Sequence, residues 1–224
     1  MTIRKADDPR LGATLVCLVL ADGISTGPSP EGLARELTDL AGRRAGEDFP
    51  PVAVKESVRA MLRAGGFKPA GRQKPASEYL AQAAREGRFP LISAPVDCNN
   101  LLSLETGLPI SLLDSEAVGP EALVRICGTG ESYVFNASGQ EMDLEGLVCV
   151  CGALAESAAG VPLGNPVKDS MRGKIKEGTR DVAGFIFAPA ANWTPTMLAA
   201  VGERFAGLLS AYCGAGSALV AGVV

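Results

Sequence analysis

Apolar positions along the chain fall into two kinds of run. Thr14 to Val19 is apolar almost without interruption, the pattern of a strand buried on both faces. Leu33, Leu37, Leu40 and Ala41 instead recur at helical spacing and predict a helix from Pro30 to about Arg44. Gly27-Pro28-Ser29-Pro30 is the turn before it, with Ser29 as N-cap and Pro30 at the first helical position. Val54, Val58, Met61 and Leu62 predict a second helix over about Pro51 to Ala64, stopped by Gly65-Gly66. A third helix is expected from about Ala76 to Glu86, and a short strand over Phe89 to Ser93. Val96 to Leu104 reads as a helix, ended at Gly107-Leu108-Pro109.

The pattern then shortens. Leu123 to Ile126, Tyr133 to Asn136 and Leu147 to Cys151 read as short strands of an antiparallel insertion, with Gly128, Gly130 and Gly139 in the turns. Val161 to Lys176, rich in Gly, Pro and charge, is expected as an ordered loop or flap. Ala183 to Ala188 is an interior strand. Trp193 to Tyr212 is an amphipathic helix with Thr194 as N-cap, and Ala218 to Val224 suits an edge strand. Helices and strands alternating at both ends of a β-rich middle predict a layered α/β (α+β) domain with an inserted mixed or antiparallel sheet. No repeat or long linker divides residues 1–224, so one domain is expected.

Composition narrows the chemistry. Hydrophobic residues make up 47% and charged residues 21%, enough for a real core. The longest apolar run, Leu11 to Ala21, is too short to span a bilayer and has no signal-peptide cleavage site, so a cytoplasmic protein without a membrane partner is expected. The six cysteines lie in apolar surroundings, and only Cys149 and Cys151 are close. A two-residue step on a strand suits buried thiols better than a zinc knuckle, and neither a metal nor a cofactor is expected. With no histidine, a Ser-His-Asp triad and histidine-ligated zinc are excluded. Any catalysis falls to carboxylates, lysine, cysteine, hydroxyls, backbone amides or the substrate.

Three segments could carry it. Lys55 to Arg88 nets +5 in a chain that nets −4. Its outer arginines suit solvated helix faces. Arg72 and Lys74 sit in a turn, where Ser77 as a helix cap would leave free amides beside two cations, an anion site. In the second segment Asp97, Asn99, Asn100, Ser103 and Glu105 interleave with leucines, and adjacent asparagines fit poorly inside a helix unless their amides have partners. A turn network centred on Asp97 is the other reading of that segment. The third, Gly164 to Lys174, gathers Asn165, Lys168, Asp169 and Ser170 in a loop that either contacts a ligand or is a solvated surface segment.

The runs Gly71-Arg72-Gln73-Lys74-Pro75-Ala76-Ser77-Glu78-Tyr79-Leu80, Val96-Asp97-Cys98-Asn99-Asn100, Ser103 to Ser111, and Gly164 to Ser170 resemble, in order, the free-standing B3/B4 domain family. That family is similar to the editing domain of the phenylalanyl-tRNA synthetase β subunit, which hydrolyses tyrosine wrongly attached to tRNA. The match covers about residues 50 to 190. The resemblance implies tRNA, through its aminoacylated 3′ end, or an amino-acid-like small molecule as partner, and aminoacyl-tRNA deacylation as activity. A non-catalytic binder is the alternative. It places Asn99, Asn100 and Ser111 at catalytic positions. Arg72, Lys74, Ser77, Asp97, Glu105, Asn165, Lys168, Asp169 and Ser170 fall at substrate- or tRNA-binding positions. The chain departs from the pattern where Asn99 replaces a threonine, Ser111 a histidine, and Phe185 stands near a glutamate that recognises the tyrosine hydroxyl. Loss of that acceptor removes the basis for selecting a phenol.

Overall fold

The structure is a computed structural model that describes residues 1–154 and 157–224. Its centre is a four-stranded antiparallel sheet built from β2 (Thr14–Asp22), β3 (Ile110–Asp114), β9 (Val182–Pro189) and β10 (Ser217–Val223), in the order β10-β2-β9-β3. The two middle strands have the continuous apolar sequences, because side chains on both faces are covered; every residue of β9 is buried. β10 alternates exposed and half-buried positions, as an edge strand does.

A second sheet holds β1 (Thr2–Lys5), β4 (Glu121–Ile126), β7 (Val148–Leu154) and β8 (Ser157–Gly164), in the order β1-β4-β7-β8. β1 runs parallel to β4 and the other pairs are antiparallel. The hairpin of β5 (Ser132–Val134) and β6 (Glu141–Asp143) completes the inserted β-structure. The fold is therefore mixed α/β. Strand β8 is a correction to the expected loop from Val161: glycine and proline there disguise a strand whose edge pairs with β7.

The helices are α1 (Glu31–Ala45), α2 (Val52–Arg63), α3 (Ala76–Arg85), α4 (Ala94–Thr106), the short α5 (Ser115–Val118) and α6 (Pro195–Cys213). Thr194 caps α6 as expected, its hydroxyl accepting from the Met197 amide at 3.2 Å. Helix α6 lies against β2 and β10, and Gly202 lets it approach: a Cβ there would fall 2.7 Å from Cys17 Sγ. Helix α4 packs between α1, α3 and α6 and ends at Gly107, whose φ of 77° suits glycine. Cys98 of α4 and Cys213 of α6 bring their Sγ atoms to 3.9 Å; all six cysteines are buried and reduced.

Two local expectations fail for one reason. Phe89 to Ser93 forms no strand, and Ser29 does not cap α1. Both segments are drawn to Asp97 instead, which accepts the Ser29 hydroxyl at 2.5 Å and the Ile92 amide at 3.0 Å. A buried carboxylate offers more to a donor than a helix end or a lone exposed strand does. Among the described residues no helix is long and apolar enough to cross a membrane.

Candidate functional site

Antiparallel pairing of β3 with β9 sets Ser111 directly opposite Phe185. Directly opposed side chains share a face. It is the face turned away from α6, because Gly184, next along β9, meets the Phe205 ring of that helix. Two of the three positions at which the sequence resemblance implies a departure, Ser111 and Phe185, are thus neighbours, and both are fully buried. Phe185 presents an apolar ring on this face, with no hydrogen-bonding group beyond its backbone.

The loop after β8 closes over this face. Asn165 is its hub: its Oδ1 accepts the amides of Val167 at 2.8 Å and Lys168 at 2.9 Å, and its Nδ2 donates to the Tyr133 hydroxyl. Tyr133 donates onward to the Lys168 carbonyl at 2.5 Å. Ser170 makes the next turn, its Oγ accepting from the Gly173 amide at 3.0 Å. Between them Asp169 turns inward. A Cβ on Gly164 would sit 2.9 Å from Asp169 Oδ1 and 3.0 Å from Ser111 Oγ, so glycine makes room for both groups.

Ser111 donates to the Asn165 carbonyl at 3.1 Å, which leaves Asp169 Oδ1 buried without a hydrogen bond. Burial pushes the Asp169 carboxyl up to about 6; the Ser111 hydroxyl, neighbouring amides and the Lys174 charge pull it the other way. One hydroxyl proton thus faces two acceptors. When Asp169 is protonated, a chain from its O–H through Ser111 to the Asn165 carbonyl satisfies every group. When it is ionised, one acceptor goes short. Asn99 Oδ1 on α4 is likewise buried without a partner, and Asn100 is buried beside it.

A second grouping lies on the outer side of the same loop. Arg72, in a one-turn helix at Gly71–Gln73, and Lys168 line a cavity of about 800 Å³ together with Phe135, Glu141 and Asp143. Lys168 rests over the Phe135 ring at 4.1 Å, and burial together with the Arg72 and Lys174 charges lowers its pKa.

The remaining expected residues are engaged elsewhere. Lys74, just before α3, lies against that helix, donating to Gln82 and sitting 4.4 Å from the Tyr79 ring centre. Ser77 is buried in the first turn of α3 and makes no cap; the Ala76 amide goes to the Pro166 carbonyl at 2.9 Å, so the expected anion site at that helix end is largely closed. Asp97 holds the Ser29 and Ile92 segments, as the turn-network reading has it. Glu105 receives Arg204 of α6 at 2.8 Å, an ion pair between helices. Tyr133, at the centre of the loop network, had no signal in the sequence beyond lying on a predicted strand. Among the described residues no group of three or more His, Cys, Asp or Glu side chains is arranged to hold a metal ion.

The class is thus a mixed α/β domain whose polar groups gather where a β8-to-β9 loop covers the central sheet. Phenylalanine–tRNA ligase β subunits from Bordetella pertussis and Bordetella bronchiseptica are 28% identical to this chain over 216 residues, 91% of its length. The chain spans about a quarter of these relatives, which it matches over 25% of their length. It is a B3/B4-like domain related to the phenylalanyl-tRNA synthetase β subunit. Among solved structures, an N-terminal fragment of that subunit from Pyrococcus horikoshii aligns with 98% of this chain and 50% of its own, at 10% identity and a TM-score of 0.48. No family model matches the chain.

Proposed function

We propose that this chain acts on aminoacylated tRNA, hydrolysing the ester that joins an unidentified amino acid to the 3′ end. The observation that carries the reading is Asp169, a carboxylate held beside Ser111 with one oxygen buried and unpaired, in a chain without histidine. Such a group is costly to maintain, and a pKa near neutrality suits a general base. In the proposed step Asp169 takes a proton from water as the water oxygen bonds to the ester carbon. The tetrahedral intermediate then expels the ribose oxygen, which recovers that proton, giving free amino acid and uncharged tRNA. Asn99 and Asn100 are assigned to orienting the carbonyl and the water, and Ser111 to holding the carboxyl.

The test is deacylation of a panel of mischarged tRNAs by the wild type and by Asp169→Asn and Asn100→Ala. Hydrolysis of one member, lost about 100-fold or more in Asp169→Asn, supports the reading. No hydrolysis of any member rules it out. A second reading, non-catalytic binding of tRNA or an amino-acid-like molecule, is favoured by the Ser111–Phe185 pair, which lacks both the histidine and the carboxylate of the family pattern. Retained tRNA binding without turnover selects it.

A further inference from the structure

The cavity beside Arg72 combines unlike charges that do not meet. Arg72 and Lys168 line it, as do Glu141 and Asp143, yet among the described residues no ion pair joins the two sets. Each acid is instead held locally: Glu141 accepts the Ser132 hydroxyl at 3.2 Å, and Asp143 the Glu145 amide at 3.0 Å. Lys168 sits over the Phe135 ring, a contact that positions the ammonium without neutralising it. Arg72 and Lys168 repel each other, and because neither is in an ion pair among the described residues, an anion bound between them would relieve that repulsion. The volume of about 800 Å³ lies in the range of small-molecule sites.

We propose that this cavity is a subsite for one nucleotide of single-stranded RNA, seating a backbone phosphate on Arg72 and Lys168 and reading the exocyclic amino group of cytosine or adenine with Glu141 and Asp143. The proposal rests on the reading of the chain as a protein that acts on tRNA, and it adds a base preference that the reading does not contain. Carboxylates accept from the amino group of cytosine or adenine; at the position of the cytosine amino group uracil presents a carbonyl oxygen, which repels a carboxylate and leaves only the ring N3–H as a donor. The amide side chains of Gln73 and Gln140 on the same wall match a planar base edge.

Binding of labelled oligocytidylate and oligouridylate to the full chain, followed by fluorescence anisotropy at low salt, tests this. Neither probe carries an ester, so the result stands whether or not the chain hydrolyses anything. Oligocytidylate is expected to bind about tenfold tighter than oligouridylate. Arg72→Ala and Lys168→Ala each weaken both probes about tenfold and flatten the salt dependence. Glu141→Ala, on the exposed hairpin, keeps oligouridylate affinity and loses the preference for cytosine. Urea unfolding of each variant confirms that the fold is retained. Equal affinity for the two probes, wild-type binding by Arg72→Ala, or displacement of the RNA by a free amino acid overturns the proposal.

Discussion

Between about pH 4 and 6 the folded chain holds a proton on Asp169 that the unfolded chain has already released, because burial pushes the folded pKa up to about 6. The sign follows directly. Stability falls as the pH rises through this window, then levels off above it once both states are ionised. Asp169→Asn removes the burial cost, so the variant is expected to gain about 1–3 kcal/mol on wild type at pH 7.5 and little at pH 4. Urea unfolding at the two pH values checks this. The same substitution abolishes the proposed hydrolysis, so stability and activity move in opposite directions at one residue. Phe185 makes a separate prediction. With no acceptor opposite Ser111, tyrosyl and phenylalanyl esters on the same tRNA are to be hydrolysed within about threefold of each other, because nothing buried is left unpaired by the missing hydroxyl. Single-turnover deacylation of the two esters measures it.

Elements show how far charge patterning in the sequence reaches. The basic run from Lys55 to Arg88 suggests solvated helix faces, and Arg63, Arg85 and Arg88 are exposed, Arg85 also donating to the Phe49 carbonyl at 2.8 Å. Arg59 of α2 instead makes a two-pronged bond to Glu78 of α3, each prong 2.7 Å. Glu78→Ala leaves a partly buried guanidinium without its partner, and a loss of about 1–2 kcal/mol in chemical denaturation is expected. Gly164→Ala forces a methyl toward Asp169 Oδ1 and Ser111 Oγ; we expect a loss of about 1–3 kcal/mol and a slower ester hydrolysis, measured on the same panel. The helices and both central strands were legible because their apolar spacing is local and regular. β8 was not, since its partner β7 supplies the pairing that its glycines and proline conceal. The anion site expected at α3 was illegible for the same reason: a carbonyl from Pro166, ninety residues on in the chain, occupies its first amide. Loop residues Asn165 to Ser170 could be picked out as polar and clustered. Which of them is unpaired depends on burial and register, which no local pattern carries.

Taken whole, the molecule is a weak polyanion with net charge −4, so RNA has to be held by local charge against a mildly repulsive field. Two cations, Arg72 and Lys168, then set the electrolyte response. With one backbone phosphate seated between them, a plot of log affinity against log salt concentration is expected to have a slope of about −0.7, well short of that of a protein tracking many phosphates. The six reduced cysteines lie inside this same fold, on α4, α6 and the strands and turns of both sheets, and each is buried. Each is therefore a stopwatch: a thiol-specific reagent in excess cannot modify the intact chain and has to wait for it to open. The ordering of modification times, read by mass spectrometry peptide by peptide, gives the sequence in which the two sheets come apart, with no dye or engineered label added.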